Sequence, residues 1–132
     1  MAFKIHYVDD GHVPSIEYLP AEGLKPAVGM ALVLSGGKLV AAKAAVKPTY
    51  ISMCEKDAAC AAGEVIPVIR VVPGTVYETE FSAAATSIKL GDKVTLHATD
   101  GMSVTATTTD GVAEVVGMDG TAVGAAVRVR FA

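Results

Sequence analysis

The side chains here that could do chemistry are few and scattered. Cys54 and Cys60 are the two cysteines of the chain, set in MCEKDAAC with no second Cys or His pair beside them, so they do not assemble the four-ligand set of a zinc site. They read as free structural thiols of a reducing compartment, with a local disulfide or a redox pair as the alternatives. His6, His12 and His97 lie far apart and match no H-E-x-x-H spacing. His97, at the end of an apolar strand, reads as a hydrogen-bonded strand-end residue. Asp9 and Asp10 precede a glycine, but no D-x-D-x-D-G loop brings oxygen ligands together there, and they read as a turn. Ser35-Gly36-Gly37-Lys38 lacks the spacing of a phosphate loop and the helix that should follow it. Glu78 and Glu80 stand two apart on a strand and face the same way, which as a carboxylate pair admits acid/base work. A solvated or contact face is the reading carried forward. Nucleophiles are missing too: there is no G-x-S-x-G elbow, and neither cysteine has a histidine nearby to activate it. The expectation is therefore a protein that is not an enzyme, with no cofactor and no metal.

Composition narrows the class further. A chain of 132 residues fits one domain and can bury a core without disulfide or metal staples. Hydrophobic residues make up 52%, yet much of that is alanine, there is no Trp, and 13 glycines dilute the rest. Small side chains bury little area, at about 25 cal/mol per Å² of apolar surface, so the expected core is thin and help from neighbouring subunits is expected. A net charge of −3 with scattered Lys and Arg argues against a nucleic-acid partner. No apolar run reaches the roughly 18 residues of a membrane helix, and MAFKIHYVDDGHV lacks a signal-peptide layout, so neither a membrane nor export is expected.

The elements that must position these groups read as β-structure. Residues 2–8 alternate, with Phe3, Ile5 and Tyr7 on one side and Lys4 and His6 on the other. Residues 12–27 hold Pro14, Pro20 and Pro26 and short apolar groups that include Ile16, Tyr18 and Leu19, which suits an extended arm. Residues 28–42 read as a hairpin turning at Gly36-Gly37, and 49–53 as a short strand. Residues 54–62, CEKDAACAA, are the one stretch of helical propensity. Gly63 to Phe81 reads as a long apolar strand, a Pro73-Gly74 turn and a second strand with Glu78 and Glu80 outward. Pro67 cannot donate to a ladder, which places Val65 to Val72 at an edge or a bulge. A second hairpin tips at Asp100-Gly101, and 125–131 alternates arginines out and valines in.

The halves can be laid on each other: Gly29 on Gly91 and Leu32 and Leu34 on Val94 and Leu96, all offset by 62, and Gly63 on Gly124, offset by 61. Either a duplication or two similar hairpins accounts for this. The fold expected is mainly β: a small β-barrel or sandwich of short antiparallel strands, with an extended N-terminal arm over 1–27 and at most one short helix. A single β-barrel domain is expected over 28–132, with possible halves at 28–72 and 88–131.

In AVGMALVLSGGKLVAA, in AAGEVIPVIRV with its glycine before an I-P-V strand, in PGTVYETEF and in LGDKVTL before a second Gly-tipped hairpin, the chain resembles the small β-rich head decoration proteins of tailed bacteriophages. The likeness covers about residues 24–131 and rests on an Ala, Gly and Val pattern. It implies a structural virion protein, often trimeric, on the outside of a capsid and bridging major capsid protein subunits, with no catalytic residues. An N-terminal arm commonly joins that contact. Here the candidate arm, Ala2 to Pro26, is richer in aromatic and charged groups than the resemblance implies. The expected contact residues, with the capsid or between subunits, are Phe3, Ile5, Tyr7, Ile16, Tyr18, Leu19, Pro67, Glu78 and Glu80. A host-surface or glycan-binding virion module and a head-to-tail connector are the alternatives; the first is poorly supplied with aromatics for sugar stacking.

Overall fold

A computed structural model describes residues 2–8 and 13–131; Asp9, Asp10 and His12 lie outside them. Among the described residues ten strands follow in order: β1 (Lys4–Tyr7), β2 (Ile16–Pro20), β3 (Ala31–Ser35), β4 (Lys38–Ala41), β5 (Tyr50–Ser52), β6 (Val65–Arg70), β7 (Val76–Glu80), β8 (Lys93–Val94), β9 (Ala113–Met118) and β10 (Ala126–Phe131). They form two antiparallel five-stranded sheets, ordered β1-β7-β10-β9-β8 and β2-β6-β5-β3-β4. Of the two architectures expected, the open one is found: no ladder closes either sheet, and among the described residues there is no helix.

The two sheets repeat each other's bonding. Pro20, Leu19, Tyr18 and Glu17 face Val65, Ile66, Pro67 and Val68; Glu80, Thr79, Glu78 and Tyr77 face Ala126, Val127, Arg128 and Val129 in the same sequence of steps. Ala31 and Leu32 face Ile51 and Tyr50 as Lys93 and Val94 face Glu114 and Ala113. The loops follow suit, since Gly29 and Gly91 each donate to the strand beside them, at Ser52 and Val115, from a left-handed backbone. The repeated unit runs from Ile16 to Val71 and from Val76 to Phe131, longer than the stretches whose side chains look alike. Among the described strands only β1 stands outside it.

Two expectations are corrected. β6 is interior, flanked by β2 and β5, rather than an edge or bulge. Pro67 is tolerated because the β5 ladder stops at Ser52 opposite Val68; one step on, the Pro67 carbonyl accepts the Met53 N–H and no return bond is required of the proline. The stretch from Gly63 to Phe81 joins the two sheets, with β6 in one and β7 in the other, so the Pro73-Gly74 turn is a crossover. Residues 54–62, despite their helical propensity, form turns. Their N–H and C=O groups are taken by the preceding loop, where Lys56 donates to Pro26, Cys60 to Leu24, and Gly23 to Cys60.

Packing follows from the alternation of each strand. One apolar cluster joins the sheets, with Phe3, Tyr77, Val115, Val127, Val129 and Phe131 meeting Ala31, Ala42, Ile51 and Ile69. Phe131 stacks obliquely on Phe3 and Tyr77 at 5.4 and 5.5 Å between centroids. A second cluster lies on the opposite face of the β2–β6 sheet, around Leu32, Leu39, Ile66, Val68 and Cys60. The tip of the second hairpin stitches the two together: Gly101 accepts from Ala31, Leu96 donates to Ala44, and Met102 packs into the second cluster.

Candidate contact surface

The outward face of the first sheet and the open end of the second sheet's inner face differ in chemistry. The first is a ladder of compensated charge. Glu78 lies between Lys4 at 3.6 Å and Arg128 at 3.5 Å, Arg128 reaches Asp119 at 2.8 Å, and Arg130 reaches Glu114 at 2.6 Å. The Arg128 hydrogen bond and charge hold the Asp119 carboxyl below the usual range, and Asp119 in turn raises the guanidinium. Glu78 is thus committed to two cations and Glu80 sits half-buried a turn of the pleat away; the two do share an outward face. Exposed pairs of this kind contribute about 0–1 kcal/mol each.

The second sheet is apolar on the side where β2 and β6 run out beyond the inter-sheet cluster. Directly opposed residues share a face, so Ile16 and Tyr18 of β2 and Val65 and Pro67 of β6 stand together. Ile16 is 54% and Tyr18 66% exposed. Met53, whose N–H meets the Pro67 carbonyl, continues the strip and is itself exposed. Beyond it a groove of about 210 Å³ opens between the sheets, walled by Ile51, Ile69, Ile5 and Tyr77 with Val28 on its rim. Its lining is nearly all apolar, and burial pushes the Tyr77 phenol up to about 12.

Of the residues read from the sequence, Ile16, Tyr18 and Pro67 are brought together on this strip, and Ile5 lines the groove beside it. Tyr7 is exposed at the end of β1. Phe3 is instead a core residue, 2% exposed, because its ring fills the space under Phe131. Leu19 points away from Ile16 and Tyr18, as alternation requires, and packs on the second cluster. Val28, Met53, Val65 and Tyr77 were missed. Each is an ordinary apolar residue in its own strand or loop, and only the pairing of β2 with β6 and the arrival of β1 make them neighbours.

The remaining chemical candidates resolve simply. Cys54 and Cys60 are free thiols packed in the second cluster. His97 Nδ1 lies 3.1 Å from Thr99 Oγ1 and 3.2 Å from Asp100 Oδ1, bracing the hairpin tip. Among the described residues no group of three His, Cys, Asp or Glu is placed to hold a metal. No protein-family model, curated protein or solved structure matches the chain.

Proposed function

We propose that this chain is a structural virion protein that decorates and stabilises the outside of a tailed-phage capsid, bridging major capsid protein subunits as a homotrimer after synthesis in the host cytoplasm. One observation carries the reading beyond the sequence resemblance. An apolar strip of Ile16, Tyr18, Val65, Pro67 and Met53 lies open on the second sheet, while the outward face of the first sheet is neutralised by ion pairs. Contiguous exposed apolar side chains rimmed by polar ones mark protein contact surfaces. A trimer that touches several capsid subunits at once gains avidity from contacts that are individually weak.

The test is twofold. Sedimentation of the purified chain is expected to give a trimer, and co-sedimentation with capsids stripped of their decoration is expected to show saturable binding that Tyr18→Asp lowers by about tenfold or more. A monomer that leaves such capsids bare overturns the proposal.

A further inference from the structure

β2 and β7 occupy equivalent places. Each is bonded on one side to a six-residue strand, β6 or β10, in the same register. The other side of β7 carries β1, with Lys4 opposite Glu78 and Ile5 opposite Tyr77. Among the described residues no strand is hydrogen-bonded to the other side of β2, although β4 packs close to that strand. Pro67 fixes which β2 groups face that open side. Tyr18 is opposite Pro67, which has no N–H, so theirs cannot be a pair that exchanges both bonds. The ladder bonds fall to Glu17 and Leu19, and the N–H and C=O of Ile16 and Tyr18 project from the free edge. Among the described residues, no backbone bond outside the β6 ladder reaches Ile16 or Tyr18.

We propose that the free edge of β2 at Ile16 to Tyr18 accepts an added antiparallel strand from a different protein, in the place that β1 takes on β7. The neighbouring side chains specify its pattern. A residue opposite Tyr18 joins the face of Ile16, Val65 and Pro67 and is apolar. A residue opposite Glu17 meets the carboxylate that Arg70 holds at 3.2 Å, and is polar, a cation fitting best. A strand of β1's own sequence has the wrong phase, because in the equivalent register Lys4 falls on Tyr18 and Ile5 on Glu17. Two copies of β2 also fit poorly. Setting Ile16 against Tyr18 opposes Glu17 to Glu17, and like charges directly opposite destabilise a ladder. Setting Tyr18 against Tyr18 brings Pro20, which has no N–H, opposite Ile16. The occupant is therefore a strand of another polypeptide with apolar residues at alternate positions and a basic residue between them.

This inference stands apart from the capsid reading, since it is tested on the isolated chain. A cyclic hairpin peptide whose free strand reads Val-Lys-Val is titrated into isotopically labelled protein, with Lys-Val-Lys as the phase-shifted control, and amide exchange is followed by NMR. The Val-Lys-Val peptide is expected to slow exchange at Ile16 and Tyr18 by about tenfold while the control leaves both unchanged. Tyr18→Pro is expected to abolish the effect yet keep the protection of Glu17 and Leu19, because the Tyr18 N–H takes no part in the β6 ladder. Protection of Ile16 and Tyr18 in the free protein, protection that grows with protein concentration alone, or an equal response to both peptides would each overturn the proposal.

Discussion

Gly29 and Gly91 make the same backbone turn in different surroundings. Both are left-handed, at φ +81° and +94°, and both donate to the adjacent strand. An alanine at 91 meets nothing within 4 Å, so its cost is that of a left-handed alanine, about 1–2 kcal/mol. An alanine at 29 puts its Cβ 2.5 Å from the Phe3 carbonyl oxygen and 2.6 Å from the Ala2 Cβ, so the start of β1 must move and loosen Phe3 against Phe131. Gly29→Ala is therefore expected to cost about 3 kcal/mol or more, clearly above Gly91→Ala, in urea unfolding. Equal losses would show that β1 is not held there. The pairing of these two glycines was legible in the chain, because both precede an apolar alternating run at one offset. Their inequality was not. It arises from β1, a strand distant in sequence, crossing above only one of them.

At the scale of the element, strands announced by alternation or by a glycine turn were legible: the β3–β4 hairpin, β5, β7, β10 and the tip at Asp100-Gly101. What misled was Pro67, since a proline in a run of Val and Ile argues for an edge, and the actual remedy is a neighbour that stops one residue short. β2 was hidden for a similar reason, as a five-residue strand closed by Pro20 is hard to tell from an arm until its partner is known. The candidate strip was accordingly half legible: Ile16, Tyr18 and Pro67 stood out as apolar or rigid residues in polar company, while Val65 and Met53 acquire meaning only through the register. The geometry of β6 can be tested directly. The Pro67 carbonyl and the N–H and C=O of residues 69 and 71 point toward β5, as the bonds Met53 to Pro67 and Val71 to Thr49 show. Pro67→Ala is then expected to change stability by less than about 1 kcal/mol, for the proline donates no bond that is lost and the carbonyl at 67 keeps the Met53 N–H. Ile69→Pro, two residues on and opposite Ile51, removes a central ladder donor and is expected to cost about 3 kcal/mol or more by denaturant unfolding. A large loss at 67 would mean that the proline itself shapes the sheet.

Across the whole molecule the question is whether two repeated units behave as two bodies. Their bonding patterns are equivalent, yet they do not share the work of packing equally. The unit built on β7 to β10 has the cluster that spans both sheets, and the unit built on β2 to β6 contributes Ala31, Ala42, Ile51 and Ile69 to it from its reverse face. In return the second hairpin lends Met102 to the other cluster and its Gly101 carbonyl to Ala31. Gly101 fits so closely that a Cβ there would lie 2.6 Å from the Ala42 carbonyl oxygen. No local pattern signals such an exchange, because each partner looks complete within its own half of the chain. The physical consequence is coupling: neither sheet can open without exposing apolar surface of the other, so unfolding is expected to be a single cooperative transition. Leu32→Ala tests this, since Leu32 is fully buried in the second cluster and has no place in the first. The substitution is expected to cost about 2–5 kcal/mol through lost burial and the cavity left behind. If the units are coupled, amide exchange at Val115 and Val129 accelerates by the same factor as at Ile66 and Val68, and calorimetry shows one peak at lower temperature. If sheet β1-β7-β10-β9-β8 keeps its protection while the other loses it, the halves are separate folding units and the stitching at Gly101 is only contact.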